Sequence, residues 1–195
     1  MFIELAEHLA CPAGHDEQAH CLLIPDEVVD RMVVRGTVAC PICRTEFAIA
    51  GGIVRFGEPS FPEASGAVPS ADIVQALLDL SGPGGYVVLL GSAAVLAEGL
   101  VSLQPGVHMV TVNDPQAESA KDSSRLYAEA MIPLRNGVAR GVVVGAEYTT
   151  AAWLSDAARV LRRGRRLVAL DDAPMPDGVD TLVTGAGVTV GENCG

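Results

Sequence analysis

The sequence predicts an α/β protein: a parallel sheet covered by helices, finished at one edge by a hairpin and preceded by a small β-rich unit. Three observations carry this expectation. Hydrophobic residues make up 49% of the chain but aromatics only 4%, so the core must be built from Val, Leu, Ala and Ile, the palette of a parallel sheet buried on both faces. Beyond about residue 70, short Val-rich runs alternate with stretches of helical spacing, which is the signature of crossover units. Before Gly57 lie four of the 5 Cys and three of the 4 His, a composition that separates the first part of the chain from the rest.

The same composition excludes several classes. A chain of 195 residues with 19% charged residues buries a real core and is not disordered. Thirteen Lys plus Arg against 24 Asp plus Glu leave a net charge of −11, which argues against capture of nucleic acid, since phosphate neutralisation needs clustered cations. The first ten residues carry Glu4, Glu7 and His8 and lack the basic start and apolar run of a signal peptide. The longest apolar stretch, 87–103, holds Glu98 and several Gly and Ser, and is short for a span of roughly 20 residues. The expectation is a cytoplasmic protein without a membrane span.

Two units follow from the punctuation: 1–57, a Pro, Gly and Ser-rich linker over 58–70, and 71–195. In the second unit, residues 72–80 have helical apolar spacing, with Ser70 or Asp72 as cap and Gly82-Pro83-Gly84-Gly85 as stop. Buried strands are predicted at 86–90, 108–112, 141–144 and 167–170, and helices at 92–102, 118–130 and 150–162. Residues 181–184 and 188–190 flank Gly185-Ala186-Gly187 and read as an antiparallel edge hairpin.

In the first unit, Cys11-Pro12-Ala13-Gly14-His15 and Cys40-Pro41-Ile42-Cys43 are two tight turns, each able to aim a pair of side chains at one point. Cysteine thiolates and imidazole are the donors of tetrahedral zinc, and four protein ligands close the coordination sphere into a structural site. Cys11, His15, Cys40 and Cys43 are the expected ligands, with His20 and Cys21 competing for the place of His15.

Residues 5–12, followed by Val38-Ala39-Cys40-Pro41-Ile42-Cys43 and by Phe47, Ile49, Gly52 and Ile53 in that order, resemble the short zinc-ribbon family of partner subunits of tRNA and release-factor methyltransferases. His15 departs from that family, which usually has a second Cys there. The second unit resembles a class I S-adenosylmethionine-dependent methyltransferase, with a Rossmann-like sheet. Tyr86-Val87-Val88-Leu89-Leu90-Gly91 is similar to its first strand and glycine turn, and residues 108–114 to its second strand. Ile132-Pro133-Leu134-Arg135 is similar to its Leu-Pro-Phe loop, and residues 157–168 to the segment entering strand five. The resemblance implies cofactor contacts from Gly91, Asp114 and Glu129.

The functional positions have drifted from that pattern. Ala93 and Ala94 follow Gly91 where glycines are usual, and Asn113 stands where the ribose-binding carboxylate is expected, with Asp114 adjacent. Only residues 173–178 separate the last strand from the hairpin, where the family inserts helices. The four arginines Arg162, Arg163, Arg165 and Arg166 read as cations complementing a helix carboxyl terminus. The expected function is a non-catalytic, zinc-binding, methyltransferase-like subunit with a protein partner or a second copy of itself. The alternative is a minimal methyltransferase acting on protein, RNA or a small molecule.

Overall fold

The computed structural model describes residues 1–15, 20–64, 66–116 and 123–195. Strands β1 (Leu22–Val29), β2 (Met32–Ala39), β3 (Glu46–Ala50) and β4 (Ile53–Arg55) form an antiparallel meander. Its tight connections are two-residue turns, Asp30-Arg31 and Gly51-Gly52, with positive φ at both residues, as the twist of a hairpin demands. Strands β5 (Tyr86–Leu90), β6 (His108–Val112), β7 (Ser123–Tyr127), β8 (Ala139–Val144) and β9 (Leu161–Ala169) are mutually parallel, and β10 (Val179–Gly185) and β11 (Val188–Asn193) make an antiparallel hairpin. All join one sheet in the order β1-β2-β3-β4-β7-β6-β5-β8-β9-β11-β10. The seam between the meander and the parallel strands is β4 against β7, with Val54 opposite Leu126.

The central strands are buried on both faces, which is why they read as unbroken apolar runs. Along β5, Val87 and Leu89 face α1 (Ala71–Leu77) and α2 (Ala97–Leu103). Val88 and Leu90 face a second core that holds α3 (Ala151–Val160) together with Leu5, Leu9, Cys11, Val38, Cys40 and Phe47 of the amino-terminal part. That second core therefore runs without interruption from the cysteine turns to α3. The loop at 132–135 also ties into it: the Ala10 amide donates to Pro133 and the Arg135 amide to His8, at 3.0 and 2.9 Å.

Two expected helices come out differently. Residues 92–102 divide into a 3-10 turn, Gly91–Leu96, and α2. Of the helix expected at 118–130, residues 118–122 lie outside the described residues, and Ser123–Tyr127 is strand β7. Local propensity yields there to the open edges on either side, since β7 satisfies the backbones of both β4 and β6. The arginines do not sit in a helix. Leu161 pairs with Ala139 and Arg166 with Gly141, so residues 162–165 bulge out of β9. Arg166 then donates to the carbonyl of Leu77 at 3.1 Å, supplying a cation to the carboxyl end of α1 rather than of α3.

Candidate functional site

The two cysteine turns converge. Pro41 and the left-handed Arg44 (φ +62) wrap the second turn so that the Cys40 amide donates to Thr45 and the Arg44 amide to Cys40, both at 2.9 Å. The ligand atoms of Cys11, His15, Cys40 and Cys43 all lie within 4.8 Å of one another. Cys11 and Cys43 sulfurs are 3.7 Å apart, and Cys40 sulfur is 3.3 Å from His15 Nε2. Two sulfurs at about 2.3 Å from a central ion subtend a tetrahedral edge of about 3.8 Å, so the spacing suits zinc.

The quartet is graded in exposure: Cys40 is 1% exposed and Cys11 buried, His15 is half-buried and Cys43 exposed. Burial, followed by its neighbouring thiols, pushes the Cys11 thiol up to about 12, whereas hydrogen bonding with the Thr45 hydroxyl and backbone brings Cys43 down to about 6. Of the competing ligands, Cys21 is buried in the apolar core and His20 is exposed, 3.5 Å from Arg135. Neither belongs to the convergent group.

The second region is the crevice at the carboxyl ends of the parallel strands, where the sheet order reverses between β5 and β8 and open α/β sheets hold their ligands. Gly91 and Asp114 line one cavity there, about 450 Å³ in volume, with Ser92, Val95 and Val68. Asp114 is 6% exposed and accepts the Gln116 amide at 2.8 Å. Glu129 is not part of that lining; it is exposed, and its Cβ lies against Gly57. Asn113, left-handed at φ +53 and 1% exposed, is committed elsewhere: its amide donates to the Ala128 carbonyl and accepts the Ala128 N–H, both at 2.9 Å. It pins the end of β6 to the end of β7.

Sequence reasoning missed Glu147. Both its carboxylate oxygens are held by Ser92, one by the backbone N–H at 2.5 Å and one by the hydroxyl at 2.8 Å. Its neighbour Tyr148 is buried, packs edge-on against Trp153 at 5.3 Å, and donates its hydroxyl to the carbonyl of Ser60. The one available signal was Gly145-Ala146-Glu147 directly after a Val-rich strand. Farther along, Asp171 at the end of β9 accepts the Thr149 hydroxyl at 3.2 Å and caps its own turn.

No protein-family model and no curated protein matches this chain. Among solved structures, it is similar to a chain of the complex between the Haloferax volcanii Trm112 methyltransferase activator and a methyltransferase, at 14% identity and a TM-score of 0.49, over 65% of this chain and 89% of that one. It is also similar to the antibiotic-resistance methyltransferase Kmr, at 14% identity and a TM-score of 0.46, over 66% and 95%. A third is geranyl diphosphate C-methyltransferase from Streptomyces coelicolor with S-adenosyl-L-homocysteine, at 14% identity and a TM-score of 0.42, over 51% of this chain and 41% of that enzyme. The mixed α/β fold is a Rossmann-like sheet, and no described helix is long and apolar enough to cross a membrane.

Proposed function

We propose that this chain is a zinc-stabilised, methyltransferase-like protein that works as a non-catalytic binding or structural subunit. The observation that carries the reading is Asn113. At the end of the second parallel strand a ribose-binding sheet places a free carboxylate, and here an amide gives one donor and one acceptor to the Ala128 backbone. A side chain anchored in that way holds two strands together, and as a neutral amide it lacks the charge of the carboxylate.

The metal would be held by Cys11, His15, Cys40 and Cys43, four protein ligands that leave no position for water or substrate, so its contribution would be to folding. With the meander β1–β4 and the parallel strands in one sheet and one core, we read 1–57 as docked on its own chain's domain 71–195, with 58–70 between them. Partner surfaces then fall to the free edges. Strand β1 exposes Leu22 and Ile24 at 56% and 53%, and β10 exposes Leu182 and Val183, which supports assembly with a protein partner or a second copy.

The cavity beside Gly91 and Asp114 favours a second reading, a minimal S-adenosylmethionine-dependent methyltransferase. Titration of the zinc-loaded protein with S-adenosylmethionine and S-adenosylhomocysteine separates the two. The subunit reading expects no heat of binding and a stable heteromeric or homomeric complex by light scattering. Methyl transfer that depends on Asp114 would overturn it.

A further inference from the structure

We propose that Cys43 is a modification site, the point at which a hydroperoxide first oxidises the cysteine and histidine quartet, and that Cys11 completes the reaction by closing a disulfide with it. The inference rests on reading the quartet as a zinc site.

Access singles out Cys43. Cys40 is 1% exposed and Cys11 7%, and His15 is half-buried, whereas Cys43 is open to solvent. The local chain explains the difference. Cys40 directly follows β2 and shares the apolar cluster of Val38 and Phe47. Three residues on, the turn has swung outward, so that Ile42, Cys43 and Arg44 are all exposed. The left-handed Arg44 then returns its amide to the Cys40 carbonyl, which leaves Cys43 on the outer side of a closed turn. Structural cysteines are inert because they are buried, and this protection covers Cys11 and Cys40 but not Cys43.

Geometry then selects the second sulfur. Cys11 Sγ lies 3.7 Å from Cys43 Sγ, while Cys40 Sγ faces His15 Nε2 at 3.3 Å. Cys11 and Cys43 both sit outside strands, so the approach to a sulfur–sulfur bond of about 2.0 Å is a movement of two turns.

The chemistry balances with the peroxide as sole oxidant. A cysteine that serves as a metal ligand is a thiolate. The Cys43 sulfur attacks one oxygen of the peroxide bond and becomes a sulfenic acid, and the other oxygen leaves as hydroxide or alkoxide. The Cys11 thiolate attacks the Cys43 sulfur and expels hydroxide as the disulfide forms. Two electrons pass from the two sulfurs to the peroxide. Only His15 and Cys40 then remain as donors, too few to close a tetrahedral site. Cys11 belongs to the core that holds Leu5, Leu9 and Val38, so the modification reaches the packing of the whole amino-terminal unit.

The test uses the full chain with Cys194→Ser, which removes the other exposed thiol, and with its zinc content fixed by elemental analysis. A roughly tenfold excess of hydrogen peroxide is added, zinc release is followed with a chromogenic chelator, and disulfides are mapped by peptide mass spectrometry. Zinc release together with a Cys11 to Cys43 cross-link is expected, both reversed by dithiothreitol and added zinc. Cys43→His keeps a fourth ligand without a sulfur and should release zinc at least about tenfold more slowly. Where that variant does not load zinc, the peptide map of its parent decides. Retained zinc, a disulfide that joins Cys43 to Cys40 or Cys21, or a loaded Cys43→His variant that releases zinc as fast as its parent would each overturn the proposal. A chain without zinc before peroxide strikes the metal reading and this proposal with it, whereas a zinc-loaded chain that resists peroxide strikes the proposal alone.

Discussion

The cysteine–histidine quartet and the strand-end crevice treat their polar residues in opposite ways. At the quartet, four side chains from two distant turns bring their sulfur and nitrogen atoms within 4.8 Å of one another. At the crevice, the polar side chains turn inward: Asn113 serves the Ala128 backbone and Glu147 serves Ser92. The difference teaches that polar side chains gathered at strand ends can serve to hold strands and turns together rather than converge on a common point. Residue type alone does not distinguish the two cases. Where the hydrogen bonds end does.

Removing one ligand is the harshest way to break this comparison. Cys40→Ser should abolish zinc retention, measured by elemental analysis after gel filtration, and should unfold the cysteine turns, because a structural zinc site contributes about 10–16 kcal/mol of apparent binding energy. Full zinc stoichiometry in that variant would remove the metal site from the account. At the crevice, Asn113→Ala takes away two buried hydrogen bonds and is expected to cost about 2–3 kcal/mol in denaturant unfolding. A loss below about 0.5 kcal/mol would mean that Asn113 is not a structural pin.

Finer tests address how the quartet is tuned. Thr45 sits 3.1 Å from the Cys43 sulfur and is the main reason its thiol lies near 6. Thr45→Val should raise the Cys43 pKa toward its ordinary value of 9.0 and weaken zinc binding at neutral pH by about tenfold in chelator competition. An unchanged affinity would assign the hydroxyl no part in the site. The pH dependence has a definite sign. Cys43, depressed to about 6, favours the fold fully above its ordinary pKa and loses that contribution as pH falls through 6, while Cys11, raised to about 12, keeps its proton at neutrality. Metal must displace at least the Cys11 proton, so affinity should rise by at least about tenfold per pH unit between 6 and 9. A flat profile would show that Cys11 does not ligate.

Much of this molecule was legible along the chain. Val-rich runs bounded by Gly and Pro mark β5, β6 and β8, because a strand buried on both faces admits no polar alternation. The hairpin β10–β11 is marked by Gly185-Ala186-Gly187, since a tight turn needs positive φ. The convergent group Cys11, His15, Cys40 and Cys43 is marked by chemistry, as thiols in paired turns are the usual donors of a metal site. Strand β7 was not legible: Ser123-Ser124-Arg125-Leu126-Tyr127 has no strong period of its own and becomes a strand because β4 and β6 leave a gap that must be hydrogen-bonded.

Choices that depend on distance in space lay beyond the sequence. His15 joins the convergent group where His20 and Cys21 do not, with Cys21 facing the apolar cluster and His20 facing Arg135. Glu147 meets Ser92 across 55 residues, and Asn113 meets Ala128 from the neighbouring strand. Periodicity and turn chemistry act over a few residues, so they determined the elements and the donor set. Register and strand order act across the whole sheet, and only they decided which polar groups were left to face a ligand and which were already bound to the protein itself.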